Sequence, residues 1–305
     1  MSDLRQQLQD YMEETGATQS ALAKPIGYSG SVISQFLDGT YGGVKGGDLK
    51  AVEKAVEQFL AMEQERKAAP KEKIPYVQIS SAKRIYDVTR TAHLDGECSV
   101  VSGDPGLGKT ASLEYYQSKY PKKVALITAY KGYTARALVI DLHKKLGGTG
   151  LGIKTDIIAD ICSRLKSAKY CIVIDEADHL NLTALEVVRH IHDDSECGLV
   201  LAGTEKLMMN LRGKRKQLEQ LYSRVGRAVR LDRLTPEDTQ KIVCAAIPDC
   251  NGTWKAFHEH CNGNARTLSK FIRRAKRIAD RNSSPVTSEI VERIARQHKE
   301  VLGIA

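Results

Sequence analysis

No stretch of this 305-residue chain approaches the roughly 18 consecutive apolar residues that would span a bilayer. The opening residues, MSDLRQQLQDYMEE, are polar and lack the apolar centre of a secretion signal. Both absences point to a protein working in solution, in a cytoplasm, with no membrane partner. The seven cysteines, at 98, 162, 171, 197, 244, 250 and 261, include no C-x-x-C pair. An odd number without a secretory signal reads as reduced thiols rather than a disulfide framework. His258, His260 and Cys261 have no second cluster to complete four zinc ligands, so they read as an ordinary helix end. Internal repeats and long low-complexity segments are also missing.

What is present is enough apolar material for real cores, 42% of residues, on a chain long enough for about two units. The formal charge of +9 is concentrated at one end. Residues 1–69 carry 7 Lys and Arg against 10 Asp and Glu, a net −3. Residues 70–211 carry 19 against 17, and residues 212–305 carry 20 against 10, a net +10. A concentrated basic region is an electrostatic footprint for a polyanion such as nucleic acid, with a solvated basic surface as the alternative.

The charged, proline-containing stretch EQERKAAPKEKIP begins a linker expected over 63–78. It separates residues 1–62 from a region where apolar strands alternate with helical patterns. CSVVSG, KVALITA, the run at 170–174, GLVLAG and RAVRL read as strands. TARALVIDLHKKLG and TDIIADICSRLKS read as helices between them, the first capped by Thr134 and ended by Gly147. Such alternation implies a mainly parallel sheet covered on both faces, here over 79–232. Beyond residue 232 the strands stop, Thr235-Pro236-Glu237-Asp238 starts a helix, and a basic helical lid is expected over 233–305.

GDPGLGKT, 103 to 110, matches G-x-x-x-x-G-K-[ST] in full, directly after a strand and opening a helix. Its glycines let backbone N–H groups wrap phosphates, so Gly103, Asp104, Pro105, Gly106, Leu107, Gly108, Lys109, Thr110 and Ala111 form the expected ATP cradle. Lys109 is expected on the β- and γ-phosphates and the Thr110 hydroxyl on Mg²⁺. At the end of CIVID, Asp175 would complete the Mg²⁺ shell and Glu176 would polarise the attacking water. The letters D-E-A-D suggest a helicase, but fewer than 50 residues separate them from the arginine-bearing SRVGR at 223–227. No second parallel sheet fits in that space.

The P-loop, IVIDEADHL, LVLAGT, LYSRVGR and GNARTL, in that order, resemble an AAA+ ATPase. The resemblance implies a three-layer α/β P-loop domain with a parallel sheet and a helical lid. It also implies that Thr204 is a polar sensor near the γ-phosphate and Arg266 a lid sensor. Arg224 would be an arginine finger entering a neighbouring subunit's site, with Arg227 as its rival.

Three sets of residues are candidates for DNA contact. TQSALAKPIGYSGSVISQFLDG, 18 to 39, has helix-turn-helix spacing and resembles phage-repressor modules, giving a small all-α domain ahead of the ATPase. Its second helix would present Ser29, Ser31, Ser34 and Gln35; the net −3 charge leaves a docking role as the alternative. Helix 268–281 repeats Lys270, Arg274, Arg277 and Arg281 on one side. Lys131, Lys154 and Arg164, near sheet-edge loops, could instead line a DNA channel.

The combination of parts resembles the ATP-dependent transposase activators of Mu-like transposing phages over essentially the whole chain. That resemblance implies an ATP-dependent filament on double-stranded DNA, tolerant of sequence, that delivers target DNA to a transposase, with hydrolysis driving disassembly. A helicase loader or replication initiator, and an ATP-gated transcriptional regulator, are the alternatives.

Overall fold

The computed structural model describes residues 3–42, 47–68, 74–212 and 219–303. The chain divides into two compact units, Met1–Lys73 and Ile74–Ala305. In the first, α1 (Asp3–Thr15), α2 (Gln19–Ile26), α3 (Gly30–Leu37) and α4 (Leu49–Ala68) enclose a core built on Leu8, Leu22, Ile33, Phe36, Val52 and Val56. Thr18 and Ser29 cap α2 and α3, each accepting a backbone N–H three residues on. Gly27, at φ 86°, makes the turn between them.

Helix α4 corrects the expected linker, because it runs through residues 63–68 to Ala68. The charged residues there have high helix propensity, and propensity overrides the lack of apolar periodicity. At the other end of the expected linker, Ile74 and Val77 pack against the core of the helical lid. Residues 69–73, between these two ordered ends, lie outside the described residues.

The second unit begins with α5 (Ser80–Asp95) and β1 (Cys98–Ser102), followed by α6 (Lys109–Lys119) and β2 (Val124–Thr128). Next come α7 (Ala135–Lys145), α8 (Lys154–Ala168), β3 (Cys171–Asp175), α9 (Leu182–Ser195) and β4 (Gly198–Gly203). Helices α10 (Glu205–Arg212) and α11 (Glu219–Tyr222) lead into β5 (Val225–Arg230). The five strands among the described residues are all parallel, in the order β2-β3-β4-β1-β5. β1, β3 and β4 are buried along their whole length, which is why they read as mainly apolar stretches without polar alternation. Val100, Ile172, Ile174 and Leu201 face a core shared with α7, α8 and α9, while Val101, Val173, Val200 and Ala202 face α5 and α6. Alternate residues along one strand therefore serve two separate cores.

The lid consists of α12 (Pro236–Ala246), α13 (Trp254–Cys261), α14 (Ala265–Arg281) and α15 (Ser288–Leu302). Its core also takes in Ile79 and Ala82 from the start of α5, so that end of α5 belongs to the lid. Buried Asp238 of α12 fixes the junction by accepting the backbone N–H and the hydroxyl of Ser80, both at 3.0 Å.

The cysteines need a second correction. Cys244 and Cys250 form a disulfide where α12 ends, while Cys98, Cys162, Cys171, Cys197 and Cys261 are free and buried. The return of the chain after α12 brings the pair together, which their six-residue spacing did not disclose. Burial pushes the Cys98 and Cys162 thiols up to about 12, so both behave as packing groups rather than nucleophiles. His258 shares a 2.8 Å hydrogen bond with Thr239.

Candidate functional site

In a parallel sheet every strand delivers its carboxyl end to the same edge, and ligands bind there. The ends of β1, β3 and β4 lead here into the P-loop, Asp175–Glu176 and Thr204 respectively. Together with the start of α14 they line a cleft of about 240 Å³, whose walls include Gly106, Lys109, Thr110, Glu176, Thr204 and Arg266.

The P-loop turns into α6 at Gly108, which sits at φ 88° where a side chain would be strained. The first N–H groups of α6 lack intrahelical partners and form an anion site. Lys109 is buried, and its Nζ donates to the carbonyls of Gly103 at 2.7 Å and Asp104 at 3.0 Å. Burial lowers its pKa, opposed by the surrounding carboxylates of Glu176, Asp175, Asp178 and Asp104. Its ammonium is thus held inside the loop where phosphates would gather.

Thr110 Oγ1 donates to Asp175 Oδ2 at 2.6 Å, so two hard oxygen ligands from different elements are side by side. That donor set fits Mg²⁺, which takes few protein oxygens and leaves the rest of its shell to phosphates and water. Asp175 is buried, and its Oδ1 accepts the N–H of Glu176 at 2.9 Å. Glu176 itself adopts φ 53°, a left-handed conformation that costs a non-glycine residue on the order of 1 kcal/mol. The turn sends Glu176 into the cleft instead of continuing the strand.

Two residues that hold this site together were not singled out from the sequence. Asp178 accepts both the N–H of Thr204, at 3.0 Å, and its hydroxyl, at 3.1 Å, pinning the end of β4 to the acidic turn. Asn264 caps α14 by accepting the N–H groups of Arg266 and Thr267, and donates to the Pro105 carbonyl at 2.9 Å. A Cβ on Gly106 would lie 2.4 Å from Asn264 Oδ1, so this glycine makes room for the lid. The signal for Asn264 was the helix-cap pattern within GNAR, overshadowed by Arg266 two residues on. Asp178 gave no separate signal within its acidic run.

The remaining candidates scatter. Arg224 lies in the turn before β5 and pairs with Asp193. The start of β5 is level with Cys98, the first residue of β1, so Arg224 sits at the amino edge of the sheet. Roughly 15 Å of strand separates that edge from the P-loop edge. Arg227 is exposed on β5 itself, opposite Ser99. Arg164 donates to Asp160 at 2.7 Å and to the Leu146 carbonyl at 3.3 Å, which engages it in closing the end of α7. Lys131 is exposed in the loop after β2, Lys154 opens α8 with its side chain outside the described residues, and Ser31 and Gln35 are exposed on α3. Ser29 is occupied as a cap, and Ser34 donates to Asp38 at 3.4 Å. Lys270, Arg274, Arg277 and Arg281 are exposed along α14, opposite a stripe of buried Leu268, Phe271, Ile272 and Ala275.

Residues 93–211 match the protein family described as AAA domain. Over 249 residues the chain is 28% identical to the ATP-dependent target DNA activator B of Escherichia phage Mu, spanning 80% of this chain and 78% of that protein. It is 23% identical over 243 residues to the Mu-like prophage FluMu DNA transposition protein B of Haemophilus influenzae, spanning 78% and 83% respectively. Among solved structures, the ADP form of the Aeropyrum pernix ORC2 protein superposes with a TM-score of 0.58. That match covers 76% of this chain and 72% of that one at 15% identity, a likeness of fold.

Proposed function

We propose that this chain, an AAA+ P-loop protein resembling the target-DNA activators B of Mu-like phages, is an ATPase that assembles on double-stranded DNA and delivers it to a transposase. The observation that carries the assembly step is the position of Arg224, one sheet edge away from the nucleotide cleft of its own subunit. An arginine there is out of reach of its own subunit's cleft, so a phosphate that it meets belongs to a neighbouring copy.

In this reading Lys109 and the N–H groups opening α6 hold the β- and γ-phosphates, while Thr110 and Asp175 hold Mg²⁺. Mg²⁺ held by Thr110 and Asp175 would neutralise charge on the phosphate oxygens. Glu176 takes the proton of the attacking water, and Thr204, fixed by Asp178, contacts the γ-phosphate. Arg266, on the cleft wall beside its N-capping Asn264, couples the lid to the nucleotide. Hydrolysis removes the γ-phosphate that joins two subunits, and the filament comes apart. Exposed cations on α14 and at Lys131 supply a backbone-reading, sequence-tolerant DNA contact.

Electron microscopy with long duplex DNA and ATP tests the whole reading. Continuous filaments of similar length on unrelated sequences are expected with ATP and not with ADP. Occupancy of one defined site would favour a transcriptional regulator, and a stable complex with a helicase would favour a loader.

A further inference from the structure

We infer that Asp193 is a positioning residue for the arginine finger, holding Arg224 in the orientation from which it reaches a neighbouring subunit's phosphate. The inference rests on Arg224 being that finger.

A guanidinium carries five N–H donors in one plane. Three of those of Arg224 are taken up within its own subunit. Nε donates to Asp193 Oδ1, and Nη1 donates to the Gln220 carbonyl at 2.7 Å and to Ser223 Oγ at 3.4 Å. Nη2 has no hydrogen bond among the described residues, so its two donors remain for a ligand from outside. The bonds fix the plane of the group and leave one corner open, as a finger requires.

Asp193 is itself held. Its second oxygen, Oδ2, accepts from Arg189 Nη1 at 2.8 Å, and Arg189 Nε donates to Glu186 at 2.9 Å. Glu186, Arg189 and Asp193 lie three and four residues apart on α9, where side chains share one face. The acid between two arginines thus cannot swing without breaking a second bond. Burial alone would push the Asp193 carboxyl up, but the bond and charge of Arg224, with Arg189 beside it, hold it below the usual carboxylate range. It remains an anion wherever the finger has work to do.

The test uses the full chain with Mg²⁺, ATP and long duplex DNA. Asp193→Ala should lower the DNA-stimulated kcat by on the order of 10²-fold, the cost of a slightly misplaced catalytic group, with KM for ATP and the thermal midpoint little changed. Asp193→Asn keeps an acceptor for Nε and should fall between. Adding Asp193→Ala to Arg224→Ala should cost nothing more. In mixtures, Asp193→Ala should regain activity with Lys109→Ala, whose finger is intact, and none with Arg224→Ala, which is defective on the same side. Parental or faster hydrolysis by Asp193→Ala and Asp193→Asn, while Arg224→Ala has lost its stimulation, overturns the inference and leaves the finger in place. Full stimulation in Arg224→Ala overturns the finger reading itself.

Discussion

Glu176 and Lys109 share a cleft but are held there in different ways. The backbone of Glu176 is bent into a left-handed turn secured by the Asp175 carboxylate, so the side chain is aimed by its own loop. Replacing the carboxylate by an amide leaves that backbone bond intact, because the donor is the main-chain N–H. Glu176→Gln should therefore bind ATP as the parent does, hydrolyse it far more slowly, and remain on DNA longer in a dissociation assay. Hydrolysis at the parental rate would remove Glu176 from the role of base. His93 makes a separate prediction about stability. Burial lowers its pKa, a backbone bond to Lys169 opposes the shift, and the ring also meets the Tyr116 hydroxyl at 2.9 Å. The unfolded chain binds this proton more tightly than the folded one. The associated stability is complete above the ordinary histidine value of about 6.5 and is lost as pH falls through the lowered folded value. The thermal midpoint should drop between about pH 7.5 and about pH 5.5, and His93→Gln should reduce that drop. An equal drop in the variant would assign the acid sensitivity to other groups.

At the scale of elements, α14 does two jobs with its two ends. Its first residues, capped by Asn264, grip the P-loop through the Pro105 and Gly106 carbonyls. Its length then carries the exposed cations Lys270, Arg274, Arg277 and Arg281 away from that grip. Nucleotide held in the cleft and polyanion held on the helix would thus act on one rigid piece. Each phosphate neutralised on duplex DNA contributes about −0.9 to the slope of log affinity against log salt. Converting Arg274 and Arg277 to alanine should flatten that slope by one to two such steps, measured by anisotropy across a salt series. An unchanged slope would move the contact to Lys131 and the neighbouring loops.

For the whole molecule, the proposed finger at Arg224, set apart from its own cleft, would make activity a property of a pair of subunits. An isolated subunit should bind ATP and hydrolyse it slowly, since an arginine finger contributes roughly 10³–10⁵ in rate. DNA would then stimulate hydrolysis by bringing subunits together at high effective concentration. Lys109→Ala should lose nucleotide binding and filaments together, and Arg224→Ala should lose only the stimulated rate. Mixing the two should restore some activity, because one supplies an intact cleft and the other an intact finger at the shared boundary. No recovery from co-assembled subunits would exclude Arg224 as the finger and make Arg227 the next candidate.

The P-loop, the strand leading to Asp175 and the alternation of strand and helix were legible in the sequence because each is set by neighbours within a few residues. Glycine spacing fixes a phosphate-binding turn, and an unbroken apolar run fixes a strand buried on both faces. The caps at Thr134 and Thr235 were equally local. The sequence order of strands, by contrast, says nothing of β1 lying between β4 and β5, and that order is what places Thr204 beside the P-loop. Asp178 reaching Thr204, Asn264 reaching Pro105, Asp193 reaching Arg224 and Cys244 meeting Cys250 were likewise decided by folding. The same holds for the bond of Arg164 to the Leu146 carbonyl at the end of α7. A residue's own chemistry states which partners it can take, and only the packed chain brings one of them within a hydrogen bond's length.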